Sequence, residues 1–140
     1  MMRRSKKRRG VVTVEFALMS PLLAAIVLGT FEVGRQMMVK QMLTETARAG
    51  CRVAILPASD SALVRAAINT VLTKRGIDPT AVTTTIRVND VLTDARNAKR
   101  NDRIEVEVAI PFSAVSWTNG FFFISADAIQ SEKVVMMREG

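Results

Sequence analysis

The run Arg3-Arg4-Ser5-Lys6-Lys7-Arg8-Arg9-Gly10-Val11-Val12-Thr13-Val14-Glu15-Phe16-Ala17-Leu18-Met19-Ser20-Pro21, continuing to Phe31 without a second charge after Gly10, decides the architecture. Six of the first nine residues are Arg or Lys. A tail of that charge does not cross a bilayer cheaply, whereas an apolar run of about 20 residues is long enough to span one. The one carboxylate inside the run, Glu15, is costly in lipid and calls for a reason.

Working outward from that run, the charge balance narrows the function classes. The formal net charge is +7, from 20 basic and 13 acidic residues. Without the six cations of the tail, 14 basic residues face 13 acidic ones, leaving +1. That balance weakens a nucleic-acid reading, which wants a basic face on the folded part, and the tail reads as a topology signal. Cys51 is the single cysteine, and histidine and tyrosine are absent. An intrachain disulfide, a Cys/His zinc site and a His-dependent triad are excluded. No Gly-rich phosphate loop, paired-carboxylate spacing or partnered nucleophile stands out. The chain does not read as an enzyme, and no catalytic, cofactor-binding or metal-binding residue is assigned.

Three readings compete for the N-terminal segment. A secretory signal peptide needs a shorter apolar core and a small-residue cleavage site, and Gly29-Thr30-Phe31-Glu32-Val33-Gly34-Arg35 is a poor one. An uncleaved single-pass anchor fits the length and charge. A prepilin-type leader fits these and also Gly10, which sits at the junction of charge and apolar run where a missing side chain gives a peptidase access to the backbone. Cutting there makes Val11 the new N-terminus, with Glu15 on the same helical face four residues on. A free amine and a carboxylate, each expensive near lipid, then offset each other within a chain or between packed neighbours.

Arg9-Gly10-Val11-Val12-Thr13-Val14-Glu15-Phe16-Ala17-Leu18, followed by Pro21-Leu22-Leu23, Gly29-Thr30-Phe31-Glu32-Val33-Gly34-Arg35 and Ala47-Arg48-Ala49-Gly50-Cys51-Arg52, resembles the TadE-like pseudopilins of tight-adherence (Tad/Flp) pilus systems. Val135-Met136-Met137-Arg138-Glu139 extends the likeness. Cys51 departs from it, standing where a small residue is expected. The resemblance implies cleavage after Gly10 by a prepilin peptidase that reads Glu15 and Phe16. It also implies a minor, helper role in pilus assembly and adhesion. The implied partners are the prepilin peptidase, other pilin or pseudopilin subunits and the inner-membrane assembly platform, with no nucleic acid and no cofactor. The implied location is the cytoplasmic (inner) membrane, single-pass, with the N-terminus cytoplasmic, the head extracytoplasmic and incorporation in a surface pilus open. The alternative is the uncleaved anchor bearing a small protein-binding domain.

The helical pattern continues past the membrane without proline to Leu56. Met38, Met42, Leu43, Thr46, Ala49, Val53 and Leu56 recur at steps of three and four, and Pro57 supplies a stop. One helix over 11–56 spans about 70 Å at about 1.5 Å per residue, so its outer half projects. Pro21 removes a donor and predicts a kink. Gly29 and Gly34 predict close helix–helix approach, or simple tolerance of glycine in a membrane helix. Glu32 and Arg35 are spaced to pair. A second helix is predicted over Ser61–Arg75, capped by Asp60 or Ser59 and stopped by Gly76. Two alternating strands follow. Val82, Thr84, Ile86 and Val88 share one face, as do Ile104, Val106, Val108 and Ile110. Arg87 falls opposite Glu105 or Glu107. Asp90–Asp102 reads as a solvated loop with room for a helical turn. The aromatic segment around Asn119-Gly120 suits a packed loop or insertion at a membrane surface. Its Trp117, Phe121, Phe122 and Phe123 follow Phe112 in the chain. Ala128, Ile129 and Glu132 would also fit a helix, and the family likeness places a third strand over Ala126–Met137.

The chain thus divides into a basic leader (1–10), a transmembrane segment (11–35), an outer helical continuation (36–57) and a small α+β head (58–140). The expected fold is type IV pilin-like. A long N-terminal transmembrane helix and a short helix pack against a three-stranded antiparallel sheet.

Overall fold

A computed structural model describes residues 8–115, 129–131 and 133–138. The basic residues 3–7 and the aromatic segment 117–123 lie outside the described residues, as does the first part of the expected third strand.

Helix α1 runs Arg8–Ala54, 47 residues, and continues through Pro21. It stops where the sequence places its breaker. The Ser59 hydroxyl lies 2.9 Å from the Ala54 carbonyl and 2.8 Å from that of Leu56, offering its proton to carbonyls at the end of the helix. Helix α2 covers Ser61–Lys74, and Asp60 caps it by accepting from the Leu63 N–H at 2.8 Å. Its C-terminus is a complete Schellman motif. Gly76, at φ +73, donates its N–H to Thr73, and Ile77 donates to Leu72.

The sheet is antiparallel, in the order β2-β1-β3, with β4 and β5 both on the far side of β3. Its strands are β1 (Thr83–Val88), β2 (Val91–Leu92), β3 (Arg103–Ile110), β4 (Ile129–Gln130) and β5 (Val134–Met137). The three expected strands therefore become five segments, for two physical reasons. Asn89 and Asp90 both hold positive φ (50 and 66), the type I′ geometry of a two-residue hairpin, so the chain doubles back as β2 instead of entering a loop at once. The third strand is a single run broken by a bulge. Ala109 pairs with Gln130 but Val106 with Val134, which leaves one extra residue on the outer strand. Ser131 fills the gap, with its hydroxyl accepting from the Val108 N–H at 2.9 Å and its own N–H donating to the Val108 carbonyl at 2.8 Å. The rest of the segment expected as loop holds the helical turn that reading allowed, a 3-10 turn at Ala95–Asn97, and buries Ala95 and Ala98.

The core lies between the outer half of α1, α2 and one face of the sheet. Ile104, Val106, Val108 and Ile110 are all buried, as the alternation requires. Each such side chain contributes roughly 1.5–3 kcal/mol on leaving water. From α2 come Val64, Ile68 and Leu72. The buried stripe of α1 is Val39, Leu43, Ala47, Gly50, Cys51 and Ala54, with Thr46 beside it. This corrects the stripe read from the large side chains. Leu43 and Thr46 belong to it, but Met38 and Leu56 are exposed. The contact is made by small residues because α2 and the sheet approach the α1 backbone closely. At Gly50 a Cβ would lie 2.7 Å from two side-chain carbons of Ile68.

Candidate assembly helix and processing junction

The residues singled out for processing sit on the free part of α1. Gly10 and Val11 fall in its opening turns, and both are exposed. Among the described residues nothing beyond its own helical turn lies within 4 Å of where a Cβ on Gly10 would be. Glu15 is exposed, one turn beyond Val11 on the same face, and Phe16 is 70% exposed. An 18-residue window of this helix has a mean hydropathy of 2.2, and none of the window is buried by the described residues. Leu18, Leu22, Leu23, Ile26 and Phe31 are likewise exposed. The helix is long and apolar enough to cross a membrane. So large an apolar surface in a folded chain belongs against lipid or against other proteins.

Among the described residues nothing lies within 4 Å of where a Cβ on Gly29 or Gly34 would be. Five residues apart on an α-helix, they point about 140° from one another, so each opens onto a different side. The glycine that makes a close helix contact within this chain is Gly50, which the reading of the apolar run passed over because it lies beyond the run. Glu32 is buried, and Arg35 donates its Nε–H to the Val115 carbonyl. That bond ties the end of the turn Phe112–Ala114 to the point where the apolar run gives way to the head. Phe112 itself is buried in the core.

The outer face of the sheet carries the charges read from the alternation. Arg87 lies 3.1 Å from Glu105 and 3.5 Å from Glu107, with Arg87 and Glu105 in direct register. Glu105 is only 2% exposed, and Lys133 reaches it at 3.1 Å. Burial alone pushes its carboxyl upward. The hydrogen bonds from Lys133 and Arg87 and their charges outweigh that and hold it below the ordinary carboxylate range. The sequence signalled the pairing with Arg87 but not the burial. Cys51 is fully buried, 3.7 Å from the Ile104 carbonyl, and burial pushes its thiol up to about 11. Among the described residues no group of three or more His, Cys, Asp or Glu side chains converges as a metal site would.

A long apolar helix whose outer half is also the spine of a small α+β head is the layout of a pilin-like membrane protein. Residues 10–52 match the family model described as TadE-like protein, and this anchoring segment belongs to that family. The match begins at Gly10, ends next to Cys51 and takes in most of α1. It associates the chain with the Tad pilus. No curated protein and no solved structure matches the chain.

Proposed function

We propose that the chain is a minor pseudopilin, or assembly factor, of a Tad (Flp) pilus. It is cut after Gly10 by a prepilin peptidase and acts through helix packing in pilus biogenesis and adhesion. The observation that carries this reading is the TadE-like segment starting at Gly10, on a helix whose most apolar window is nowhere buried by the described residues. In this reading residues 1–10 stay in the cytoplasm until removed, the span crosses the inner membrane, and the head faces outward. Glu15 and Phe16 belong to the sequence the peptidase reads. After cleavage the Glu15 carboxylate answers the α-amine of Val11, in its own chain or in a neighbouring subunit. Pro21 marks where the helix gives way on entering an assembly, and Gly29 and Gly34 admit neighbouring helices on two sides. The partners are the peptidase, other pilin-class subunits and the inner-membrane assembly platform.

The test is the N-terminus and intact mass of the protein taken from its native membrane. Removal of the leader gives a start at Val11 and a loss of roughly 1.3 kDa. A bulky residue at position 10 should block that maturation. Because a Cβ at Gly10 meets none of the described residues, such a block would report on the peptidase and not on misfolding. A start at Met1 or Met2 with active peptidase present would refute the processing step and leave an uncleaved anchor.

A further inference from the structure

The unbroken helix fixes how high the head stands above a membrane. β3 runs opposite to α1. The Ile104 carbonyl lies 3.7 Å from the Cys51 Sγ, whereas Ile110 lines a groove with Met38 and Val39. The Ile110 end of the sheet therefore faces the apolar run. The turn Phe112–Ala114 follows at that end, and Arg35 holds it through the bond to the Val115 carbonyl. Arg35 comes four residues after Phe31, where the apolar run ends. That is about 6 Å along the helix axis. The polar layer on each side of a bilayer is about 5–7 Å thick. With α1 across the membrane, the turn is thus held at the height of the lipid headgroups. The other end of the sheet, level with Cys51, stands roughly 30 Å beyond Phe31.

The surface at that height is hollow and apolar. A hollow of about 360 Å³ beside Phe31 and Gly34 and a groove of about 570 Å³ under the head share Arg35 and Met38, so the two adjoin. Met38, Met42, Ile77 and Ile110 line the groove, and Met38 is 65% exposed. The charges at its rim are met inside the chain. Arg75 pairs with Glu45, Asp78 accepts from the N–H and hydroxyl of Thr80, and Arg35 holds Val115. The lining that is left suits hydrocarbon better than a charged ligand. Ser113 and Ala114, on the turn, are exposed and uncharged. The sequence joining Val115 to Ile129 has the same chemistry. Residues 116–128 carry one charge, Asp127, and include Trp117, Phe121, Phe122 and Phe123, types that suit a membrane–water interface. Both ends of that stretch lie at the membrane-facing end of the sheet, since Ile129 pairs with Ile110.

We propose that the underside of the head, from Met38 across to the turn Phe112–Ala114, is a lipid-contact surface. It is seated in the headgroup layer of the leaflet on the head side, and lipid continues from the apolar run into the mouth of the groove at Met38. The contact sets the angle at which the head stands on its anchor. The proposal rests on α1 spanning the membrane, and not on cleavage at Gly10 or on a place in a pilus.

The test places the full chain in phosphatidylcholine vesicles, at a low ratio of protein to lipid, with a nitroxide on one introduced cysteine at a time. Collisions with oxygen, which concentrates in lipid, are compared with collisions with a water-soluble nickel chelate. Cys51 is fully buried and should stay unlabelled, so the native chain serves as background and a silent Cys51 shows that the head is folded. Leu23→Cys marks the span, Met38→Cys and Ala114→Cys the underside, and Leu92→Cys the far end; all four positions are exposed. Leu23 should report deep lipid and Leu92 water. Met38 and Ala114 should be shielded severalfold from the chelate relative to Leu92, with a raised ratio of oxygen to chelate collisions. Replacing phosphatidylcholine by phosphatidylglycerol should leave these readings unchanged, because the charges at the rim are already met. The proposal is overturned if Leu23 lies in lipid while Met38 and Ala114 meet the chelate as freely as Leu92, for the head then stands clear of the membrane. Shielding without a gain in oxygen collisions would equally overturn it, since protein and not lipid would then cover the surface. A Leu23 as open to the chelate as Leu92 would refute the span itself.

Discussion

The sign of a Gly50→Ala substitution should depend on residue 68. The added Cβ would lie 2.7 Å from both Cγ1 and Cδ1 of Ile68 and 3.5 Å from Val64. Carbon atoms rest at about 3.5–4.0 Å, so the first two contacts are overlaps and the third is ordinary. Overpacking of this kind costs about 1–3 kcal/mol. Against it, replacing glycine by alanine inside a helix returns about 1 kcal/mol. The net expectation in the native background is a loss of about 1 kcal/mol, within a range of about 0–2. Ile68→Ala removes both overlapping carbons, and in that background Gly50→Ala should stabilise by about 1 kcal/mol. Ile68→Val removes only Cδ1 and should fall between. The single cysteine provides the assay. Cys51 is fully buried, so the rate at which a thiol reagent labels it, followed through a urea series on the full chain in micelles, reports opening of the head. If Gly50→Ala raises stability equally in all three backgrounds, α1 and α2 do not meet at this point and the packing argument fails.

Raising the pH should destabilise the head between about 9 and 11. The buried Cys51 thiol holds its proton up to about 11, whereas the unfolded thiol gives its proton up near 9. The unfolded state therefore binds fewer protons across that window, and stability falls as pH rises; comparing alkaline urea melts of the native chain with Cys51→Ala, which should lack this component, tests it. At the acid end the sign is reversed. The carboxyls of Glu105, Asp60, Asp94 and Asp102 are all held low in the fold. Their contribution is present above about pH 4 and lost as pH falls through the depressed values, and Glu105→Gln should make the acid loss of stability shallower in denaturant titrations. Glu105→Ala at neutral pH leaves Arg87 with only Glu107, at 3.5 Å, and Lys133 with water, and should cost about 1–2 kcal/mol. Restoring half of that by adding Arg87→Leu would show the loss to be unpaired charge, and no restoration would refute it.

What the sequence disclosed depended on how strongly a residue's type is tied to its surroundings. The span, both helices and the alternation of β1 and β3 were legible, because apolar periodicity over many residues leaves few other solutions. The stop at Pro57, the cap at Asp60 and the C-terminal glycine at Gly76 were legible for the same local reason. The phase of the α1 stripe was not. Weighting by side-chain size pointed to Met38 and Leu56, whereas the contact is set by how near α2 can come, and that favours Ala47, Gly50 and Ala54. The hairpin at Asn89-Asp90 was passed over because its returning strand is only two residues long and both are exposed. The bulge at Ser131 carries no sequence signature, since a serine hydroxyl standing in for a backbone acceptor is visible only once β3 is placed beside it. The processing junction was read from Gly10 and Glu15 because charge, glycine and an apolar run in that order are rare together.

Anchor and core spine are one helix, and this has a mechanical consequence. A force that draws α1 lengthwise out of a membrane loads its contact with the sheet in shear, along the line from Val39 to Ala54. Resistance is then spread over every turn of that contact at once instead of being lost turn by turn, as it would be in peeling. A pull on the head directed across the helix meets only one turn at a time. A subunit built this way should withstand axial tension far better than sideways tension. Its anchor cannot be withdrawn from the head without unfolding it, because the strand that closes the sheet, Val134–Met137, packs against the same helix that the membrane holds.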